Sequence, residues 1–145
     1  MTTKRYISRL RLTSFRNYGS GALDLDQRHV ILTGPNGAGK TNLLEAVSLL
    51  SAGRGLRRAP FDTLAQLGGQ HRWAVAATVE TPGGAVDIGT GNAPGEAGRR
   101  VRINGANARV VDDMSAYVRM LWLTPAMDGL FSGAASERRR FLDRL

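Results

Sequence analysis

No cysteine occurs in the 145 residues, so a disulfide, a thiolate nucleophile and a Cys-based zinc site are all excluded. Histidine is nearly as scarce: His29 and His71 are too few for a histidine-rich metal centre. Aromatic residues make up 6% of the chain and are not interleaved with basic ones, so nothing points to base stacking along a single strand. No apolar run approaches the roughly 20 residues that span a bilayer. Met1 to Arg5 leads into Tyr6-Ile7-Ser8-Arg9 without the apolar stretch of a signal peptide, so secretion and membrane insertion are poor readings and a cytoplasmic location is expected. Acidic residues are the scarcer charge, 12 against 20 basic ones, for a net charge of +8. Lys4 and Lys40 are the lysines; the other basic residues are arginines, whose planar fork suits phosphate. Such a balance favours an anionic partner, nucleic acid above all, although a basic chain can be merely soluble.

What is present is ordinary globular material: 42% hydrophobic and 22% charged residues, with the length of about one domain. Tyr6 to Thr13 alternates with period two and predicts a half-buried strand. Ala22 to Leu25 alternates again and predicts a partner for it. His29-Val30-Ile31-Leu32-Thr33 is apolar and β-branched, as a buried central strand would be. Leu43, Leu44, Val47 and Leu50 then follow helical spacing until Gly53 and Gly55. Phe61 to Leu67 predicts a short helix. Trp73 to Val79 and Ala85 to Thr90 predict strands around a Pro82-Gly83-Gly84 turn, and Val101-Arg102-Ile103-Asn104-Gly105 predicts a hairpin. Asp112 to Tyr117 predicts a short helix, Val118 to Leu123 a strand, and Ser136 to Leu145 an amphipathic helix with no stop signal. Trp73 and Trp122 fall in strand patterns and are expected in the core. The resulting fold class is α/β: strands, a phosphate loop and a first helix over 1–60, an antiparallel β-rich insert over 61–110, and a strand and helix over 111–145.

Gly34-Pro35-Asn36-Gly37-Ala38-Gly39-Lys40-Thr41 matches G-x-x-x-x-G-K-[ST], between a predicted strand and a predicted helix as its mechanism requires. The glycines let the backbone turn its N–H groups inward, where they and the helix N-terminus form an anion hole. Lys40 would neutralise the β- and γ-phosphates and Thr41 would place its hydroxyl on Mg²⁺. The Asn-Lys-x-Asp element of GTP readers is absent, which leans towards ATP. Hydrolysis also needs an aspartate to organise the metal and a residue to position water. Val110-Val111-Asp112-Asp113 is the one run that imitates a metal-binding strand, and it reads better as a surface helix start. Glu45 is expected to face a neighbouring strand or solvent.

Phe15-Arg16-Asn17-Tyr18, the phosphate loop continuing through Asn42-Leu43-Leu44-Glu45-Ala46, Gly53-Arg54-Gly55-Leu56-Arg57, the 101–105 hairpin and Leu123-Thr124-Pro125 through Arg138-Arg139 and Phe141-Leu142-Asp143 together resemble the start of the RecF family. The resemblance covers the whole chain. It implies a P-loop NTPase of the ABC type, related to the heads of chromosome-maintenance ATPases, that dimerises on ATP and Mg²⁺. It further implies binding of DNA at single-strand/duplex junctions and work with RecR and RecO in helping to load RecA during recombinational repair. Intact members are more than twice as long, so the chain looks like an incomplete, N-terminal part, without the signature motif, the magnesium-binding aspartate or the catalytic glutamate. Leu130 to Ala135 imitates a signature motif but lacks its second Gly and its Gln, and reads as a loop capping the last helix. By the same likeness, Arg16 and Asn17 lie near the base and ribose, with backbone capping after the first strand as the alternative. Asn42 joins the phosphate loop as a nucleotide-binding residue. Of three basic groups, Arg54/Arg57/Arg58 is the first candidate for DNA; Arg99/Arg100/Arg102 and Arg138/Arg139/Arg140 follow, the last as a solvated helix face or interface. The competing readings are an unrelated P-loop small-molecule kinase, against which the β-rich insert argues, and a DNA-binding fragment with no useful nucleotide site.

Overall fold

Alternation governs most of what forms. In the computed structural model, which describes residues 4–143, the period-two segments become β1 (Tyr6–Phe15), β2 (Tyr18–Asp24), β3 (Trp73–Thr81), β4 (Gly84–Asn92) and β5 (Arg100–Ile103), closed by the two-residue β6 (Ala106–Asn107). They form one six-stranded antiparallel sheet in the order β2-β1-β3-β4-β5-β6. The hairpin turns are those the residues dictate. Asn104 (φ 50°) and Gly105 (φ 80°) both adopt the left-handed conformation that a type I′ turn needs.

One face of the sheet carries Leu10, Leu12, Trp73, Val75, Ala77, Val79, Ile88 and Val101 into the core. The other presents Arg9, Arg11, Ala74, Ala76, Arg100 and Arg102 to solvent. The apolar face is covered by α1 (Lys40–Ser48), through Ala46 and the following Leu49 and Leu50, and by 3-10 turns at Phe61–Leu64 and Val111–Ala116, through Leu64 and Met114. Phe15 packs edge-on against Trp73 at 5.7 Å, and Trp73 donates its indole N–H to the Phe61 carbonyl at 2.6 Å. Each such large side chain withdrawn from water contributes about 1.5–3 kcal/mol. The last helix, α2 (Ala135–Leu142), lies outside this core and buries none of its side chains; its expected final residue, Leu145, falls outside the described residues.

Two expected strands are absent among the described residues. His29–Thr33 forms no strand and pairs with none, with Val30 and Ile31 54% and 84% exposed. Val118–Leu123 is likewise irregular: Val118 is buried, Leu123 is 72% exposed, and Trp122 is half-buried rather than in the core. Both runs have the composition of central strands, but such a strand needs neighbours, and all six strands of the sheet pair with one another. Among the described residues, the segment over 111–143 therefore contains 3-10 turns and a helix and no strand. The strands expected as an insert over 61–110 join β1 directly, so β1 and β2 belong to the same sheet as β3 to β6.

Candidate functional site

The phosphate loop hangs between the end of β1 and the start of α1, and the two are joined by side chains. Gly34 (φ 149°), Gly37 (φ 83°) and Gly39 (φ 103°) all have positive φ, a conformation glycine adopts without steric cost. Gly39 is also the N-cap of α1. No side chain caps that helix end and its first turn has no acidic residue, so the positive end of the helix is left to the loop. The Lys40 ammonium turns back over the loop and donates to the carbonyls of Gly34 at 2.5 Å and Pro35 at 2.7 Å. Gly34 to Ala38 and Thr41 are exposed.

Arg16 and Asn17, expected from the resemblance near the base and ribose, leave the end of β1 in different directions: Arg16 turns onto Glu45 of α1 and Asn17 onto the phosphate loop. Phe15 is fully buried, while Ser14 (φ 49°) and Arg16 (φ 53°) on either side of it are in the left-handed region. Such strain costs on the order of 1 kcal/mol or more per residue and needs surroundings that hold it. Here the 64–66 segment does so: Arg16 N–H donates to the Leu64 carbonyl at 2.9 Å and Gln66 N–H to the Ser14 carbonyl at 2.7 Å. The turn swings Arg16 inward, towards α1. Asn17 and Tyr18 lie against the loop: the Asn17 amide donates to the Ala38 carbonyl at 3.4 Å and the Tyr18 hydroxyl to the Gly39 carbonyl at 3.0 Å.

Glu45 is where sequence reading fell short. It is 2% exposed, and neither a strand nor solvent meets its carboxylate. Arg16 grips both of its oxygens, Nε on Oε2 and Nη2 on Oε1, each at 2.9 Å. Arg57 adds Nη1 on Oε2 at 2.7 Å, and the same nitrogen reaches Asn42 Oδ1 at 2.7 Å. Asn42 in turn donates to Asn17 Oδ1 at 2.8 Å. A buried carboxylate held by two guanidinium groups is satisfied in the way burial requires, and removing one partner of such a pair costs about 3–5 kcal/mol. The signal in the sequence is one of spacing: Glu45 sits on the same helix face as Asn42, but the arginines reach it from 29 and 12 positions away.

The basic groups are divided by the fold. Arg57 is committed to Glu45 and Asn42. Arg54 and Arg58 are exposed at the rim of a cleft of about 490 Å³ that also includes Arg119 and Trp122. Arg99 turns away from solvent: its guanidinium caps the end of α1 and the following loop, donating to the carbonyls of Leu49, Ser51 and Gly53. It also lies over the Phe61 ring at 5.3 Å. Burial pushes it down to about 10, which leaves it charged at neutral pH. Arg100 pairs with Glu96, Arg138 donates to the Gly133 carbonyl, and Arg140 pairs with Glu137. Asp112 and Asp113 are exposed at the start of a 3-10 turn, where the Asp113 carboxylate accepts the N–H groups of Arg109 and Val110.

Residues 6–126 match the family described as the RecF/RecN/SMC N terminal domain. The chain belongs to that family. It is 58% identical over its whole length to the DNA replication and repair protein RecF of Rhizobium meliloti (strain 1021), and 57% identical to that of Mesorhizobium japonicum (strain LMG 29417 / CECT 9101 / MAFF 303099). In both cases it spans 39% of the relative's length. Among solved structures, the recombination mediator protein RecF-ATPrS of the RecFOR pathway superposes with a TM-score of 0.86 at 23% identity, over 98% of this chain and 38% of that one. The SMC head domain from Thermotoga maritima superposes with a TM-score of 0.58 at 21% identity, over 76% of this chain and 41% of that one. At these identities the structural matches establish the fold alone, which is that of part of a RecF or SMC head.

Proposed function

We propose that this chain forms the nucleotide-binding lobe of a RecF-type, ATP-dependent DNA-binding protein of recombinational repair. The observation that carries the reading is the phosphate loop itself. Three glycines at positive φ lead into a helix N-terminus with no side-chain cap, and a lysine ammonium is already turned over the loop. These residues fit the triphosphate of ATP. Backbone N–H groups of 37–41 would hold the phosphate oxygens, Lys40 would supply the cation beside them, and the exposed Thr41 hydroxyl would meet Mg²⁺. The bound metal would offset charge on the β- and γ-oxygens. Asn17 supports the loop from the β1 side, and Arg16 holds Glu45 of α1.

Arg54 and Arg58 are the loop arginines free to meet DNA phosphates, a contact that carries no sequence preference. The RecF relatives are named for DNA replication and repair, and the first structural match comes from the RecFOR pathway. By likeness the whole protein would form an ATP-dependent homodimer, prefer junctions of single-stranded and duplex DNA, and work in the cytoplasm with RecO, RecR and RecA. Calorimetry with MgATP on this chain and on Lys40→Ala tests the reading. Micromolar-range binding that disappears in the variant is expected. Equal binding by the two proteins would overturn it, and binding of DNA without any binding of ATP would favour a DNA-binding fragment instead.

A further inference from the structure

We propose that Glu45 is a positioning residue for the phosphate loop, acting through Arg57, Asn42 and Asn17; the inference rests on the nucleotide reading above. The four side chains form a hydrogen-bond relay in which Arg57 donates both to Glu45 and to Asn42, and from Arg57 onward each donor points towards the loop. The Glu45 carboxylate can only accept, so it fixes Arg57. Arg57 can only donate, and its Nη1 meets both Glu45 Oε2 and Asn42 Oδ1 at 2.7 Å. With its oxygen taken, Asn42 must turn its NH₂ outward, where it donates to Asn17 Oδ1 at 2.8 Å. That leaves the Asn17 NH₂ facing the loop, on the Ala38 carbonyl at 3.4 Å. Arg16 closes the other end by holding both Glu45 oxygens, so the carboxylate cannot rotate away.

What the relay controls is one peptide plane. The Ala38 carbonyl and the Gly39 N–H belong to the same trans peptide and point in opposite directions. A carbonyl drawn towards Asn17 therefore turns the Gly39 N–H to the opposite side, into the loop. Tyr18 does the same for the next plane: its hydroxyl on the Gly39 carbonyl, which Leu43 N–H also holds at 2.9 Å, turns the Lys40 N–H the same way. Gly39 must be glycine for this geometry, because a Cβ there would lie 2.5 Å from Asn17 Nδ2 and 2.9 Å from the Tyr18 hydroxyl. One anion-binding N–H group, that of Gly39, is thus oriented through a buried carboxylate that stands back from the loop, and Tyr18 orients a second, that of Lys40.

The test is a cycle on the full 145-residue chain with Glu45→Gln, Arg57→Met and the double variant. It is read by calorimetry with MgATP and with magnesium tripolyphosphate, which has neither base nor ribose. Each single variant is expected to weaken both ligands by about five- to tenfold, the worth of one or two oriented hydrogen bonds. The double variant is expected to bind no worse than the weaker single one, since both break the same relay. A core variant of β3, Val75→Ala, is expected to melt lower and yet bind both ligands as the unaltered chain does. Additive losses, unaltered binding by Arg57→Met, or a loss in Val75→Ala that tracks its melting temperature would each overturn the proposal. Should Glu45→Gln fail to fold, Arg57→Met decides alone, because it leaves the Arg16–Glu45 pair intact. Lys40→Ala separates the two layers: if it binds as the unaltered chain does, the nucleotide reading itself falls.

Discussion

Replacing Gly39 and Gly37 by alanine, one at a time, should give very different proteins, although the phosphate-loop motif contains both. At Gly37 (φ +83°) nothing lies within 4 Å of an added Cβ, so the cost is backbone strain alone, about 1–2 kcal/mol. At Gly39 (φ +103°) the strain recurs, and the Cβ would also lie 2.5 and 2.8 Å from the Asn17 amide and 2.9 Å from the Tyr18 hydroxyl. Both side chains must then leave the loop, and each hydrogen bond given up adds about 1 kcal/mol. The total for Gly39→Ala is about 3–4 kcal/mol, or a fall in melting temperature of roughly 9–16 °C against roughly 3–8 °C for Gly37→Ala. Urea unfolding at constant slope gives the free energies directly, and calorimetry with MgATP on the same samples reads the loop. Equal destabilisation by the two substitutions would refute the reasoning, since only the crowding from Asn17 and Tyr18 separates them.

Arg99→Met should cost about 3–4 kcal/mol in urea unfolding, because the carbonyls of Leu49, Ser51 and Gly53 lose a shared charged donor. Arg54→Gln and Arg58→Gln should each lower the slope of log K against log salt for duplex DNA by about 1 and leave the melting temperature unchanged. Arg57→Gln should instead lower the melting temperature through Glu45; equal salt slopes and equal melting among the three would contradict the division of that loop. Ile31→Asp should change stability in urea by less than about 0.5 kcal/mol, since Ile31 is 84% exposed. A large loss would mean that the segment packs against something in solution.

Alternation in Tyr6–Thr13, Trp73–Val79 and Val101–Ile103 announced the sheet, and the Asn104-Gly105 turn announced its last hairpin, because both signals are local. The phosphate loop was legible for the same reason: its conformation needs glycine at fixed offsets within eight residues. His29–Thr33 and Val118–Leu123 misled, because composition describes what a segment could bury and not whether a neighbour is there to bury it. The partners of Glu45, Arg16, Arg57 and Arg99 escaped because they are distant in sequence and a charged residue in a pattern reads as solvent-facing by default. Only the left-handed turn at Arg16 and the loop after α1 bring those charges together.

The pairing of β1 has a consequence for how the chain folds. β1 meets β2 across a tight turn, but its other neighbour, β3, begins at Trp73, after the phosphate loop and α1. Docking those two strands closes a loop of roughly sixty residues, an entropic cost met before most of the reward arrives. The β3-β4-β5-β6 meander can form quickly by itself, whereas β1 must wait for the long excursion to come home. The slow step of folding is therefore the one that also encloses α1, so the phosphate-binding segment should acquire its shape late, together with the junction between β1 and β3. A nascent chain released before β3 emerges would have a finished motif in its sequence and no sheet edge on which to mount it.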